Sequence, residues 1–153
     1  FEGEPKGKEV LVGKNNVLLK EKYSNAISEI FDREITWEIV DDIWYNYYGK
    51  GSYQELHEHI ADPFQKIHFS CIHYLSYDKD VHTAAEFYDP ISSIRSHSFT
   101  LDKDFVGDFF VSQVEEGDLI MFPSYLQHRV LPQKVSDIPR ITLSFNFRLL
   151  RYG

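Results

Sequence analysis

Three histidines and one arginine are the residues whose types and spacing could do chemistry in this sequence. His57 and His59 stand two apart in Tyr53-Gln54-Glu55-Leu56-His57-Glu58-His59. In a β-strand, residues two apart point to one face. Both imidazoles would then aim at a single point, with Glu58 turned away. Neutral imidazole suits iron, zinc, copper and nickel. Such a pair arises often by chance, so a third donor is what gives it meaning. His128 supplies one in Phe122-Pro123-Ser124-Tyr125-Leu126-Gln127-His128-Arg129-Val130. There a Glu-Glu-Gly-Asp turn feeds an apolar run, Pro123 breaks it, and His128 opens the next strand. The competing reading of His128 is a hydrogen-bonded core histidine. His68, His73, His82 and His97 are set aside. His73 faces away if Tyr74 faces in, His68 opens a strand, and the other two lie near loops.

The arginine is Arg140, which opens a run of unbroken alternation. Ile141, Leu143, Phe145 and Phe147 fall on one face; Arg140, Thr142, Ser144, Asn146 and Arg148 fall on the other. Such a polar face ordinarily meets solvent. This strand, however, follows the His128 strand after a short connection, and neighbouring the metal would turn its polar face into a cavity wall. A guanidinium in a cavity needs an anion, because an unpaired buried charge is costly. Its planar fork binds a carboxylate through two charge-assisted bonds, and the Thr142 hydroxyl could add a third. Metal, arginine and hydroxyl together describe a site for a small dicarboxylate bridging the two ends.

The elements that must position these groups are mostly short strands. Asn15–Glu34 reads as a helix, with Leu19, Tyr23, Ile27, Ile30 and Phe31 at helical spacing and no Gly or Pro. From Ile35 onward the pattern is of β-runs: Thr36–Val40, Ile43–Tyr48, Tyr53–His59, Ile67–Tyr77, Ala84–Tyr88, Ser96–Leu101, Phe109–Glu115, Asp118–Phe122, Gln127–Leu131 and Arg140–Leu149. Gly49-Lys50-Gly51, Asp62-Pro63, Glu116-Gly117-Asp118 and Ile138-Pro139 punctuate them. Asp78–Thr83 and Asp102–Asp108 read as solvated loops. Many short strands imply a sandwich, a jelly roll or a closed barrel. The chain, 153 residues with 42% hydrophobic and 16% aromatic residues, is expected to be a single domain over residues 1–153, with 1–13 loose.

A net charge of -8 repels phosphate backbones and argues against nucleic acid as a partner. No apolar run approaches about 20 residues, so no membrane span is expected. The single Cys71 has no internal disulfide partner, and a reducing cytoplasm is the simplest setting. An acidic surface suits a neutral or basic substrate, such as a peptide.

These motifs together resemble the iron(II)- and 2-oxoglutarate-dependent oxygenases, in particular the bacterial and phage members distantly similar to prolyl hydroxylases. The matching pieces are Trp44-Tyr45-Asn46-Tyr47-Tyr48, Gln54-x-x-His57-x-His59, Phe69–Leu75, Gly117–His128 and Pro139-Arg140-x-Thr142-x-Ser144-Phe145-Asn146. They cover most of the chain after Trp37, and the last two are the most specific. The resemblance implies a mainly β, double-stranded β-helix (jelly-roll) fold with one or two N-terminal helices packed outside. It implies Fe(II) as metal and 2-oxoglutarate as co-substrate, with hydroxylation of an unidentified small molecule or peptide and release of succinate and CO2. His57 and His128 would be iron ligands. Arg140 would pair with the far carboxylate of 2-oxoglutarate with help from Thr142, and Asn46, Gln54 and Tyr74 would wall the pocket.

One departure stands out. The superfamily ordinarily places Asp or Glu where His59 stands. Strand parity favours His59 as the ligand; Glu55, Glu58 or Asp62 are the alternative carboxylates. Two other readings remain: a cupin-like three-histidine metalloprotein that uses no 2-oxoglutarate, and a jelly-roll binding module without catalysis.

Overall fold

A computed structural model describes residues 8–11, 17–31, 35–40, 42–60, 64, 66–92, 94, 108–134 and 137–152. In chain order the elements are β1 (Lys8–Leu11), α1 (Val17–Phe31), β2 (Ile35–Ile39), β3 (Trp44–Tyr48), β4 (Gln54–His57), β5 (Phe69–Ser76), β6 (Ala85–Tyr88), β7 (Phe109–Val111), β8 (Leu119–Pro123), β9 (His128–Val130) and β10 (Arg140–Tyr152). The expected strand at Ser96–Leu101, the Asp62-Pro63 turn and most of the Asp102–Asp108 loop lie outside the described residues. So does most of the expected loose start, but Lys8–Leu11 within it is a strand rather than a loose segment, paired antiparallel with β3.

Two antiparallel sheets result. The larger runs β1-β3-β10-β5-β8, with β2 also on β10, and the smaller runs β4-β9-β6-β7. β10 organises the first. Its early residues pair with β3, Arg140 opposite Tyr48 and Thr142 opposite Asn46. Its later residues pair with β2 along the same edge, and β5 takes the other edge. This is the mainly β, two-sheet jelly-roll arrangement with one helix outside it. Among the described residues α1 is the only helix of any length, and no helix is long and apolar enough to cross a membrane.

The alternation of β10 separates two environments. Leu143, Phe145 and Phe147 join Trp37, Ile43 and Cys71 in a core beneath α1. The helix reaches it through Tyr23 and Ile27, with Leu19 and Phe31 partly buried, while Ile30 is exposed instead. The opposite face of the large sheet carries Ile72, Tyr74 and Phe122, which pack on Ala85 and Phe87 of the small sheet in a second core. Arg140, Thr142, Ser144 and Asn146 share that inner side and are all buried. Arg148, at the far end of the row, pairs with Glu38 on β2. A tight turn sets β8 against β5: Gly117 adopts φ +93°, a left-handed conformation that glycine takes without a Cβ penalty. Its N–H donates to the Tyr74 carbonyl at 2.7 Å.

Candidate metal centre

β4 and β9 are neighbours in the small sheet, and their register sets His57 directly opposite His128. The two rings lie 4.2 Å apart, centroid to centroid. His59 closes the triangle at 5.1 Å from each. One ring nitrogen from each of the three falls within 4.8 Å of the others, which brings three donors within reach of a single ion. His59 arrives there by a different route from the one strand parity suggested. β4 ends at His57, so His59 lies beyond the strand. Its backbone N–H donates to the Ser124 carbonyl at 2.9 Å, and its ring lies nearly parallel to the Trp44 indole, 6.3 Å away.

The same local device turns His57 and His128. Nδ1 of His57 meets the Glu55 carbonyl at 2.8 Å, and Nδ1 of His128 meets the Leu126 carbonyl at 3.1 Å. A carbonyl only accepts, so each Nδ1 carries a proton, and in the neutral ring that tautomer leaves Nε2 its lone pair for a ligand. Burial pushes His128 down to about 3, helped by the nearby His57 and His59 and opposed by the Leu126 carbonyl. It is neutral, and so able to coordinate, throughout the ordinary pH range.

Facing this cluster across the cavity is the inner row of β10. The cavity is lined by all three histidines together with Trp44, Asn46, Tyr48, Gln54, Arg140 and Thr142, and among the described residues around it none is acidic. Arg140 is 1% exposed. Its guanidinium lies over the rings of Tyr48 and Tyr74, at 4.6 Å and 5.1 Å. Its Nε and Nη1 are buried and make no hydrogen bond to protein. Cation–π contact offsets part of the desolvation of such a charge, but two donors are left for an anion. Asn46 donates from Nδ2 to the Ser144 hydroxyl at 3.0 Å, with a long contact to Thr142 Oγ1 at 3.5 Å.

Among the residues expected to wall the pocket, Asn46 and Gln54 line it. Tyr74 is absent from the lining. It stands behind Arg140, fully buried, and its hydroxyl accepts from the Ala85 N–H at 3.2 Å. It therefore supports the guanidinium through its ring. Tyr48 was missed. It packs on Arg140 and donates to Gln54 Oε1 at 2.7 Å. The signal was in the sequence, since Trp44, Asn46 and Tyr48 are two apart on one strand face. Of the other histidines, His73 meets the Tyr23 hydroxyl on the helix side. His68 accepts from the Leu149 N–H, and His82 is held between the Asp78 N–H and the Ile138 carbonyl. His97 lies outside the described residues.

Residues 42–146, more than half of the chain, match the family described as "Putative 2OG-Fe(II) oxygenase". No curated protein sequence matches the chain. Solved structures share its fold at low identity. An oxidoreductase of the 2OG-Fe(II) oxygenase family from Burkholderia pseudomallei is 15% identical with a TM-score of 0.62, the match covering 86% of this chain and 54% of that one. A Pseudomonas putida prolyl-4-hydroxylase is 16% identical with a TM-score of 0.58, over 99% and 76% of the two chains. HygX from Streptomyces hygroscopicus, solved with nickel and 2-oxoglutarate, is 11% identical with a TM-score of 0.62, over 100% and 74%. The chain thus spans about half the length of the first of these proteins and about three quarters of the other two.

Proposed function

The chain belongs to the 2OG-Fe(II) oxygenase family, and from that premise we propose that it is an iron(II)- and 2-oxoglutarate-dependent dioxygenase that hydroxylates a small molecule or peptide. The observation that carries this reading is Arg140. A buried guanidinium with two donors lacking protein partners lies in the wall of a cavity that also holds three convergent imidazoles and no described acidic residue. That donor set fits both groups. Three imidazole nitrogens on one side suit a borderline first-row ion with open positions, and the guanidinium suits the far carboxylate of a dicarboxylic keto acid.

When bound, ferrous iron with 2-oxoglutarate supplies the oxidising chemistry, in which dioxygen and 2-oxoglutarate are consumed, succinate and CO2 leave, and a substrate C–H becomes C–OH. The protein's share is placement. His57, His59 and His128 hold the metal from one side, and the two Nδ1 bonds fix which nitrogen faces it. Arg140 fixes the co-substrate's remote end, with the Thr142 hydroxyl beside it. The rings of Tyr48 and Tyr74 pack against the guanidinium and hold its orientation. Residues 1–153 act as one domain in this reading. A cytoplasmic setting keeps the lone Cys71 thiol reduced.

Anaerobic addition of 2-oxoglutarate to the ferrous protein tests the proposal. The expected result is a metal-to-ligand charge-transfer band that Arg140→Ala weakens, followed by succinate release in air. Ferrous iron bound without such a band points to the three-histidine metalloprotein that uses no 2-oxoglutarate. No iron bound at all leaves a jelly-roll binding module.

A further inference from the structure

His59 cannot owe its position to the strand that carries His57, because that strand stops two residues earlier. Its main-chain tether is the Ser124 carbonyl, 2.9 Å from its N–H. Ser124 sits in the turn between β8 and β9 and is fully buried, as is Ser70, and Asn146 nearby is buried too. The hydroxyls of Ser124 and Ser70 lie 3.0 Å apart, and the Ser70 hydroxyl donates to Asn146 Oδ1 at 2.8 Å. Ser70 has one hydroxyl proton, and Asn146 Oδ1 can only accept. The order is therefore fixed: Ser124 donates to Ser70, and Ser70 donates to Asn146. The Ser124 N–H adds a bond to the His68 carbonyl at 3.1 Å.

The consequence is topological. His57 and His128 are set by the small sheet, through the pairing of β4 with β9. Ser70 and Asn146 belong to β5 and β10 of the large sheet, whose register sets these two residues opposite each other. We propose that the Ser124–Ser70–Asn146 hydrogen-bond chain is a cross-brace that positions His59, holding the third imidazole to the large sheet while the other two are held by the small one. Three polar side chains buried at one spot and satisfied by one another rigidify the structure around them. A directed chain that starts at the tether of a ligand gives them a function. These residues position His59 through the Ser124 backbone, and Ser70 and Asn146 also stand in the wall of the same cavity.

The inference rests on the reading of His59 as a metal ligand, and a double-mutant cycle separates the two. Cobalt(II) affinity and its visible d–d spectrum are measured for the parent, Ser70→Ala, His59→Ala and the double variant, with each fold checked by circular dichroism. Ser70→Ala is expected to weaken cobalt(II) binding on the order of 10–100-fold, the range for residues that orient ligands. Its spectrum should approach that of His59→Ala, and the loss should vanish in the His59→Ala background. Ser124→Ala and Asn146→Ser cut the same chain at its other links and enter the same cycle if Ser70→Ala does not fold. Unchanged affinity in folded brace variants, or an equal loss with and without His59, overturns the brace. A His59→Ala protein that binds cobalt(II) as tightly as the parent overturns the ligand reading instead.

Discussion

His57 and His128 face each other across the β4–β9 pair with their rings 4.2 Å apart, and each ring is oriented by a carbonyl two residues before it in sequence. Two strands that are distant in sequence thus present matching lone pairs to one point. Removing either imidazole leaves at most two donors from the cluster. His57→Ala and His128→Ala are expected to lose ferrous or cobalt(II) affinity by more than about 100-fold, beyond what loss of an orienting group costs. Isothermal titration on the folded variants measures it. Affinity within a few-fold of the parent would remove that residue from the ligand set.

Arg140 gives the second prediction. If the co-substrate fills its two open donors, 2-oxoglutarate stabilises the metal-loaded parent. At about 100 times its dissociation constant the gain is roughly 2.7 kcal/mol, a rise in melting temperature on the order of 5–10 °C. Arg140→Ala should cut that shift to about a third or less at the same concentration, since deleting one partner of a buried charge pair costs on the order of 2–5 kcal/mol. Arg140→Lys should restore little, because a point charge does not reproduce the fork. An undiminished thermal shift in Arg140→Ala would place the dicarboxylate elsewhere.

The helix side supplies a pH prediction independent of the metal. His73 is held below its usual value, mainly by burial and also by the Lys22 charge, against a hydrogen bond with the Gly117 backbone. The Tyr23 hydroxyl faces it at 2.6 Å, and burial pushes that phenol up to about 12, so it stays protonated. Because the folded-state pKa of His73 is depressed, the unfolded chain takes up its proton first as pH falls. Its contribution is present above the ordinary histidine value of about 6.5 and is lost as pH drops through the lowered one. Urea midpoints should therefore decline from pH 7.5 to pH 5, and less steeply in His73→Gln. Equal slopes for parent and variant would contradict this.

Phe145 tests the core that carries the site. It is fully buried on β10, between Tyr23 of α1 at 5.0 Å and Trp37 of β2 at 6.4 Å, centroid to centroid. Phe145→Ala removes the ring and leaves a cavity under the strand that presents Arg140. A loss of about 3–5 kcal/mol in unfolding free energy is expected, read from urea denaturation of the metal-free protein. A loss under about 1 kcal/mol would mean that the core collapses around the gap.

The sequence by itself determined most of the described strands after Ile35 and what each face of β10 would do. Period-two alternation is a local property, and a half-buried strand must turn one set of side chains to each side. Hence Leu143, Phe145 and Phe147 were legible as core, and Arg140, Thr142, Ser144 and Asn146 as one row. The helix stripe was equally legible, with Ile30 misplaced because a single face of α1 is covered. Tertiary structure decided the rest. Whether the polar row of β10 met water or a cavity depended on a second sheet closing over it, which no local pattern encodes. The route of His59 into the cluster depended on a turn from another part of the chain, since hydrogen bonds to the Ser124 carbonyl and through its hydroxyl join residues brought together only by folding. The same holds for Tyr74. Alternation put it on the inner face, but the approach of Ala85 engaged its hydroxyl and left its ring to support Arg140.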